Sequence, residues 1–251
     1  MDRPTETAAL LLTAWRDPSQ KLSSLPAALV PPDAAAAYAV QQAVSAGQGP
    51  IGGWKVGASG PDAPPTCAPL PAAGIVPSPA RLSSTCFVLR GIEAEIAFRM
   101  GADLPPRDIP YTRTEIIAAI ADCVPAIEVL ESRFIDPDGL TKWTALADSS
   151  THGGFVYGAP IANWQSVNFA REPVRVVIDG KEIKTATANP AGDMIRLVQW
   201  LADTGTRWAG GLRAGQYVTC GSWTGKDYAG PASHVQVAFD HAAPVSVEFT
   251  V

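Results

Sequence analysis

The run of residues 93–98, Glu-Ala-Glu-Ile-Ala-Phe, places the strongest constraint on how this chain can fold. In a β-strand, successive side chains point to opposite faces, so the two glutamates share one face while Ala94, Ile96 and Phe98 share the other. The apolar face predicts a packed core on that side. The two carboxylates, about 7 Å apart at their α-carbons, would repel each other unless water or a cation lies between them. The chain therefore needs a sheet with one covered face and one acidic face.

Two helices are predicted before this run. Residues 5–15 and 34–45 each carry an apolar stripe, and Asp33 is placed to cap the second helix. From residue 51 onward, short apolar runs separated by glycine and proline are typical of strands, although residues 57–79 read as one long loop of the kind that often covers a binding site. We predict strands over residues 54–56, 87–89, 94–98, 126–130, 155–157, 174–178, 217–220, 235–239 and 245–249.

Two further helices are predicted within this strand-rich part. Thr112 and Glu115 form a capping box before a helix over residues 115–121, and Pro190 suits the first turn of a helix over residues 190–203 that ends at Gly205. This order of elements indicates an α+β fold built on a mixed β-sandwich or rolled sheet. We divide the chain into an N-terminal helical cap, residues 1–50, and a catalytic domain, residues 51–251.

Composition excludes several classes of function. The formal net charge of −5, with no stripe of lysine and arginine among aromatic residues, argues against nucleic-acid binding. The N-terminus is acidic where a signal peptide is basic, and its apolar run is too short to span a membrane. The four cysteines are widely spaced, which argues against a zinc site or a redox dithiol. We expect a cytoplasmic protein that binds neither nucleic acid nor membrane.

Three carboxylates are candidates for a metal site. Glu128 interrupts an apolar run, where a charged carboxylate is costly to bury unless it is paired or bound to a metal. Together with Glu93 and Glu95 on a neighbouring strand it would form an all-oxygen site, which Mg²⁺ or Mn²⁺ prefers. Two other interpretations remain open: the pair on the first strand could be a solvated face, and Glu128 could be paired with Arg99 or Arg133.

Lys55 is a candidate acid or base. It is the only charge in the run of residues 52–57, Gly-Gly-Trp-Lys-Val-Gly. A lysine near a metal in a dry site is expected to have a lowered pKa, and it can then transfer a proton. A surface lysine at the end of a strand would give the same pattern.

Five motifs in this chain resemble, in order and spacing, those of the fumarylacetoacetate hydrolase superfamily. The resemblance is greatest to the branch of 2-keto-4-pentenoate hydratases and 2-oxo-3-hexenedioate decarboxylases, and it covers the chain from about residue 52 onward. The motifs are Gly-x-Lys-Val-Gly at 53–57, Ile-Glu-Ala-Glu-Ile-Ala at 92–97, Pro-Ala-Ile-Glu-Val-x-x-Ser-Arg at 125–133, Ala-Asp-Ser-Ser-Thr-His-Gly at 147–153 and Gly-Gln-Tyr-Val-x-x-Gly at 215–221.

The resemblance assigns roles to individual residues. It implies that Glu93, Glu95 and Glu128 hold Mg²⁺ or Mn²⁺ and that Lys55 is the catalytic acid or base. It also implies that residues 148–153 lie over the substrate, and that the substrate-binding residues are Asp148, Ser149, Thr151 and Ser222. Ser149 replaces the asparagine of the family and Thr151 replaces its serine, so the hydroxyl of Thr151 could still bind a substrate carboxylate, or the residue could be an ordinary turn residue.

One departure from the family bears on the reaction. Many hydratases carry Pro-Asp-Phe-Gly after the lysine, whereas residues 71–74 here are Pro-Ala-Ala-Gly, which lack the acid, as the decarboxylase branch also does. In contrast, residues 220–225, Cys-Gly-Ser-Trp-Thr-Gly, resemble the Gly-Ser-x-Thr-Gly motif of the hydratases. An apolar wall made by Leu70, Ile75, Val76 and Trp223 would reject a second carboxylate and favours hydration of a monocarboxylate.

Other activities remain open at this point. The alternatives to a hydratase are a decarboxylase, a catalytically silent metal-binding partner subunit and a hydrolase of acylpyruvates. Hydrolytic members of the superfamily use a histidine near the N-terminus, and no histidine precedes His152 here. The expected substrate is a small 2-keto acid. We also expect a homo-oligomer, in which the terminal strand could serve as interface or as core, and a possible complex with a sister enzyme of the same pathway.

Overall fold

The computed structural model describes residues 2–251, and it begins with the two predicted helices. Helix α1 (Arg3–Arg16) starts behind Asp2, whose carboxylate accepts a hydrogen bond from the backbone of Thr5. Helix α2 (Ala34–Gln48) starts behind Asp33, which binds the backbone of Ala36 in the same way. The helices pack against each other and against Phe134 in a small apolar cluster. The assignment of residues 1–50 as a cap, and the boundary at residue 50, stay predictions.

The strands form two mixed sheets, as the sequence predicts. The strands are β1 (Ile51–Gly57), β2 (Thr66–Pro71), β3 (Ile75–Pro77), β4 (Ala80–Ser83), β5 (Gly91–Met100), β6 (Ile120–Leu130), β7 (His152–Tyr157), β8 (Pro173–Ile178), β9 (Lys181–Thr187), β10 (Tyr217–Ser222), β11 (Asp227–Tyr228), β12 (His234–Phe239) and β13 (Val245–Thr250). In the larger sheet the order is β2, β1, β10, β5, β6, β7, β3, and β11 pairs with β5; in the smaller sheet it is β4, β13, β12, β8, β9. Parallel pairing joins β1 to β10, β3 to β7 and β4 to β13.

The main hydrophobic core contains side chains from both sheets. Ile96 and Phe98 of β5, on the face predicted to be covered, pack in this core and are almost completely buried. Val245, Val247 and Phe249 of the terminal strand lie in the same core, so the inward face of β13 serves as core rather than as interface. The opposite face of β5 carries Glu93 and Glu95.

Three shorter α-helices follow: α3 (Arg113–Ala119), α4 (Lys142–Ala147) and α5 (Met194–Trp200), the last continued by a π-helical segment over Leu201–Gly205. The capping box at α3 is confirmed, since Thr112 and Glu115 each bind the backbone of the other. Among residues 2–251, no helix combines the length and the apolar character needed to cross a bilayer.

Some predicted elements were wrong. Residues 57–79 are not one loop, because β2 and β3 lie within them. Strand β2 contains prolines, but it is the edge strand of its sheet, where a missing backbone N–H is tolerated. Residues 87–89 are not a strand, because the backbone N–H of Phe87 donates a hydrogen bond to the carbonyl of Ser83 and closes a turn. The last helix begins at Met194, behind the capping carboxylate of Asp193, because Gly192 has a left-handed backbone.

Candidate metal centre and active site

The three glutamates predicted as metal ligands meet on one face of the larger sheet. Strands β5 and β6 are antiparallel, and their register places Glu93 directly opposite Glu128. Glu95 follows two residues later on the same face. One carboxylate oxygen from each residue lies within 4.8 Å of those from the other two. Glu95 and Glu128 are almost completely buried, and Glu93 is partly buried.

The surroundings of these carboxylates shift their pKa values in different directions. Burial raises the pKa of Glu93 to about 7, with attraction to Lys55 opposing the shift and repulsion from Glu128 adding to it. Burial, followed by repulsion from the other two carboxylates, raises the pKa of Glu95 well above its usual range. A cation held between such carboxylates would favour their charged forms, because it offsets the repulsion between them.

Glu128 behaves differently because two donors bind one of its oxygens. Lys55 Nζ lies 2.7 Å from Glu128 Oε1, and His152 Nδ1 lies 2.8 Å from the same atom. Burial by itself would raise the pKa of Glu128, but attraction to Lys55 and the hydrogen bond from His152 outweigh it and leave the pKa below its usual value. Glu128 is therefore the carboxylate of the three that is most readily charged.

Lys55 extends from β1 into the acidic cluster, with 16% of its side chain exposed. Its ammonium group also donates to the backbone carbonyl of Ser150, at 3.1 Å. Burial would lower the pKa of Lys55, but the three carboxylates, Glu128 first, raise it above the usual value. In the cluster without a cation, the three negative charges around this ammonium group therefore outweigh its burial; the lowered pKa expected beside a bound metal stays a prediction.

The donor set fits a divalent cation. Glu128 Oε2 is buried and has no hydrogen-bond partner among the described residues. A buried, charged oxygen without a partner is costly, and coordination of a cation removes that cost. Carboxylate oxygens alone suit Mg²⁺ or Mn²⁺ rather than Zn²⁺, and Glu93, Glu95 and Glu128 are the residues that would hold the ion.

A cavity of about 230 Å³ opens onto this cluster. Its polar lining comes from Lys55, Thr66, Glu93, Glu95, Ser150 and Ser222, and the rest of the lining is small or apolar. Lys55 is the only lysine or arginine among the described residues that line it. The chemistry available here is metal chelation, proton transfer by an ammonium group and hydrogen bonding by the hydroxyl groups of Thr66, Ser150 and Ser222.

The loop before β7 has a constrained backbone. Ser149, Ser150 and Thr151 have φ values of 51°, 50° and 61°, in the left-handed region that side chains other than glycine seldom adopt. Such residues cost about 1–3 kcal/mol each and persist where the surrounding contacts fix them. The bond from Lys55 to the carbonyl of Ser150, and that from the N–H of Glu131 to the carbonyl of Thr151, fix this loop.

The predicted substrate-binding residues differ in where they lie. Ser222 lines the cavity. The carboxylate of Asp148 is buried and is bound by Arg133 and Ser132, and the hydroxyl of Thr151 donates to the carbonyl of Ser150 at 2.6 Å. Ser149 is buried beside them. The substrate-binding roles of all four residues stay predictions.

Two residues around the cluster were missed from the sequence. Thr219 of β10 donates from its hydroxyl to Glu95, and His152 donates to Glu128. Alternation along residues 217–220 could have placed Thr219 on the acidic face. The predicted apolar wall is not found at this cavity, because none of Leu70, Ile75, Val76 and Trp223 lines it. Leu70 lies in a buried apolar cluster, and Trp223 packs against Phe239 in the core, with the ring centroids 5.5 Å apart.

Comparison with known sequences supports the resemblance noted above. The chain is 30% identical over 155 residues to 2-keto-4-pentenoate hydratase from Burkholderia vietnamiensis, a match covering 61% of this chain and 56% of that protein. It is 30% identical over 132 residues to the enzyme of the same name from Paraburkholderia xenovorans, covering 52% of this chain and 48% of the relative. The matched region thus spans about half the length of these curated relatives. No protein-family model matches the chain.

Comparison with solved structures concerns the fold. The chain superimposes on 4-oxalocrotonate decarboxylase from Pseudomonas putida, solved with magnesium and adipate, with a TM-score of 0.85 and 21% identity over 98% of this chain and 97% of that one. A fumarylacetoacetate hydrolase family protein from Yersinia pestis gives a TM-score of 0.59 and 16% identity over 80% of this chain and 93% of that one. The arrangement of two mixed sheets is thus the fold of these proteins.

Proposed function

Because the chain belongs to the fumarylacetoacetate hydrolase superfamily, in the branch of the 2-keto-4-pentenoate hydratases and 4-oxalocrotonate decarboxylases, we propose that it is a hydratase that uses Mg²⁺ or Mn²⁺. The proposed substrate is a 2-hydroxydienoate or 2-keto-enoate such as 2-keto-4-pentenoate. The observation that carries this proposal is the cluster of three carboxylates and Lys55, of which Glu93, Glu95 and Lys55 line one cavity while Glu128 is bound by Lys55.

The residues of the site would have different roles. Glu93, Glu95 and Glu128 would hold the cation, which when bound supplies a Lewis acid for the carboxylate and C2 oxygen of the substrate. Lys55 lies at the cavity wall with its amino group 2.7 Å from Glu128, so it would donate a proton to the substrate chain and take one back. Ser222, the last residue of β10 and a neighbour of Glu95 in the sheet, would bind the substrate through its hydroxyl group.

Two observations bear on the choice between hydration and decarboxylation. A dicarboxylate would bring a second charge, and the described lining of the cavity offers Lys55 as its one cation. Lys226 lies outside that lining, and its ammonium group is 2.5 Å from the carboxylate of Asp138. An unpaired second carboxylate would be desolvated at a cost, which favours a monocarboxylate and therefore hydration.

Decarboxylation of a 2-oxo-3-hexenedioate is the second candidate. Support for it comes from the fold likeness to 4-oxalocrotonate decarboxylase and from the absence of an acid at residues 71–74. A catalytically silent metal-binding subunit would not need Lys55 at the cluster, so its presence beside Glu128 argues for an active enzyme. We further propose a cytoplasmic location, in a pathway that degrades aromatic or related compounds.

The test is to measure both reactions with purified protein and Mg²⁺. We expect hydration of 2-hydroxypenta-2,4-dienoate to be faster than release of CO₂ from 2-oxo-3-hexenedioate, and both to stop when the metal is chelated. Faster release of CO₂ would reverse the choice between the two reactions. Turnover of neither substrate would contradict the proposal of a lyase of this branch.

A further inference from the structure

His152 is a buried histidine that holds one of the metal-binding carboxylates without lining the cavity. It is the first residue of β7, it is 1% exposed, and its Nδ1 lies 2.8 Å from Glu128 Oε1. Its other ring nitrogen, Nε2, is buried and has no hydrogen-bond partner among the described residues. Since His152 is not part of the cavity lining, it does not touch a substrate bound there.

The hydrogen-bond geometry fixes the state of this ring. A carboxylate oxygen can only accept, so Nδ1 must carry the hydrogen. If Nε2 carried a hydrogen as well, a charged and unpartnered donor would be buried, which is more costly than a neutral nitrogen left as an acceptor. His152 is therefore a neutral imidazole with its hydrogen on Nδ1.

The two donors at Glu128 act on one oxygen only. Lys55 and His152 reach Glu128 Oε1 from β1 and β7, on either side of the carboxylate, while Oε2 has no partner. A rotated carboxylate would lose at least one of these hydrogen bonds. The arrangement thus keeps Oε2 free for a cation.

We propose that His152 is a positioning residue that fixes the orientation of Glu128 and so keeps its second oxygen available to the divalent cation. This inference rests on the metal site of the proposed function. His152 matters there because Lys55, the other donor to Glu128, is also the group proposed to transfer a proton. A lysine that gives up its proton loses its charge, and its bond to Glu128 weakens at that moment. His152 takes no part in proton transfer, so it keeps Glu128 in place while Lys55 reacts.

Two substitutions separate this role from simple packing. In His152→Leu the side chain is apolar and of similar size, so the hydrogen bond to Glu128 is lost. In His152→Asn the amide nitrogen is bonded to Cγ, as Nδ1 is in histidine, so the donor is kept. Binding of Mn²⁺ to each protein is measured by calorimetry in the absence of substrate, after circular dichroism has shown that each variant is folded.

We expect His152→Leu to raise the Kd for Mn²⁺ by about 10- to 100-fold, the usual effect of losing an outer partner of a metal ligand. His152→Asn should bind Mn²⁺ nearly as tightly as the unsubstituted protein. In a Lys55→Ala background, where His152 is the remaining donor, His152→Leu should have a larger effect than it has alone.

Two results would overturn the inference. One is a His152→Leu variant that binds Mn²⁺ as tightly as the unsubstituted protein. The other is a His152→Asn variant that loses as much affinity as His152→Leu, because that would show a packing role. Since substrate is absent, the result does not depend on the reaction: a protein that binds Mn²⁺ but turns over no dienoate would remove the proposed function and leave this inference standing.

Discussion

At the scale of single residues, the site combines an ammonium group with three carboxylates of unequal charge. Lys55 and His152 favour the charged form of Glu128, whereas burial disfavours the charged forms of Glu93 and Glu95. A bound cation would stabilise all three charged forms, so metal binding and proton release are coupled at this site.

Replacing Lys55 with alanine tests its role in proton transfer. We expect turnover to fall by about 10²-fold or more, the scale of lost acid or base catalysis. The affinity for Mn²⁺ should not fall, because Lys55 is a positive charge beside the cluster and His152 still holds Glu128. Steady-state kinetics and calorimetry measure the two quantities.

The matched control for this experiment is Lys181→Ala, which removes an exposed lysine from β9. It should leave turnover unchanged. A Lys55→Ala variant with turnover close to that of the control would assign Lys55 a structural role.

Strand alternation could place Glu93 and Glu95 on one face, and isolated charges singled out Glu128 and Lys55, which the family resemblance joined to them in one site. None of these signals could predict His152. Phe155 lies opposite Glu128, so regular alternation along β7 would point His152 to the other face of the sheet. The register between β6 and β7 shifts at Val129 and Leu130, and this irregularity turns His152 towards Glu128. The shift depends on pairing between two distant segments, which local sequence does not encode.

At the scale of elements, local signals predicted the starts of helices better than the identity of edge strands. Asp33 and Thr112 cap their helices through contacts with neighbouring residues, which the sequence reveals directly. Strand β2 forms only because β1 lies beside it, and β9 is an exposed edge strand with little apolar pattern. Elements defined by long-range pairing were therefore missed, and so was α4, although its capping residue Thr141 is a local signal.

The start of α3 gives a prediction of pH dependence. Hydrogen bonds from Arg107 first, and then from Thr112, lower the pKa of Glu115 from 4.5 to about 2. The charged form is thus favoured by folding, so its contribution to stability is present above about pH 4.5 and is lost as the pH falls towards 2. Glu115→Gln should unfold at a lower temperature than the unsubstituted protein at pH 7, and the difference should shrink below about pH 4.5.

Thermal unfolding at a series of pH values checks this expectation. Glu182→Gln is the matched control, because Glu182 is an exposed carboxylate on β9. A difference between Glu115→Gln and the unsubstituted protein that stays constant down to about pH 3 would contradict the assigned role of its charge.

At the scale of the whole molecule, the two sheets share a core that fixes the outward face of β5 and β6. Side chains of β12 and β13 pack on the inner face, which leaves the three glutamates on the outer one. The alternating pattern of the sequence predicted this division between core and site. It could not predict the backbone of the loop at residues 148–151, because its three left-handed residues depend on contacts from Lys55 of β1 and from Glu131, the residue after β6.

We predict that the protein is a homo-oligomer in solution. The inward face of β13 is used by the core, so an interface must use other surfaces. Light scattering at micromolar concentration should give a mass that is a multiple of the 26.2 kDa chain. A monomeric mass would contradict the prediction, and co-purification with another pathway enzyme would indicate the mixed complex considered above.

The central claim is that three glutamates hold a divalent cation to which a 2-keto acid binds. Its most direct test is a calorimetric titration with 2-oxopentanoate, a 2-keto acid that has no carbon–carbon double bond to which the enzyme could add water. We predict binding in the presence of Mg²⁺ and none after chelation of the metal or in Glu128→Gln, since the carboxylate and C2 oxygen need the cation. Equal affinity with and without Mg²⁺, or no binding to the Mg²⁺-loaded protein, would contradict the account.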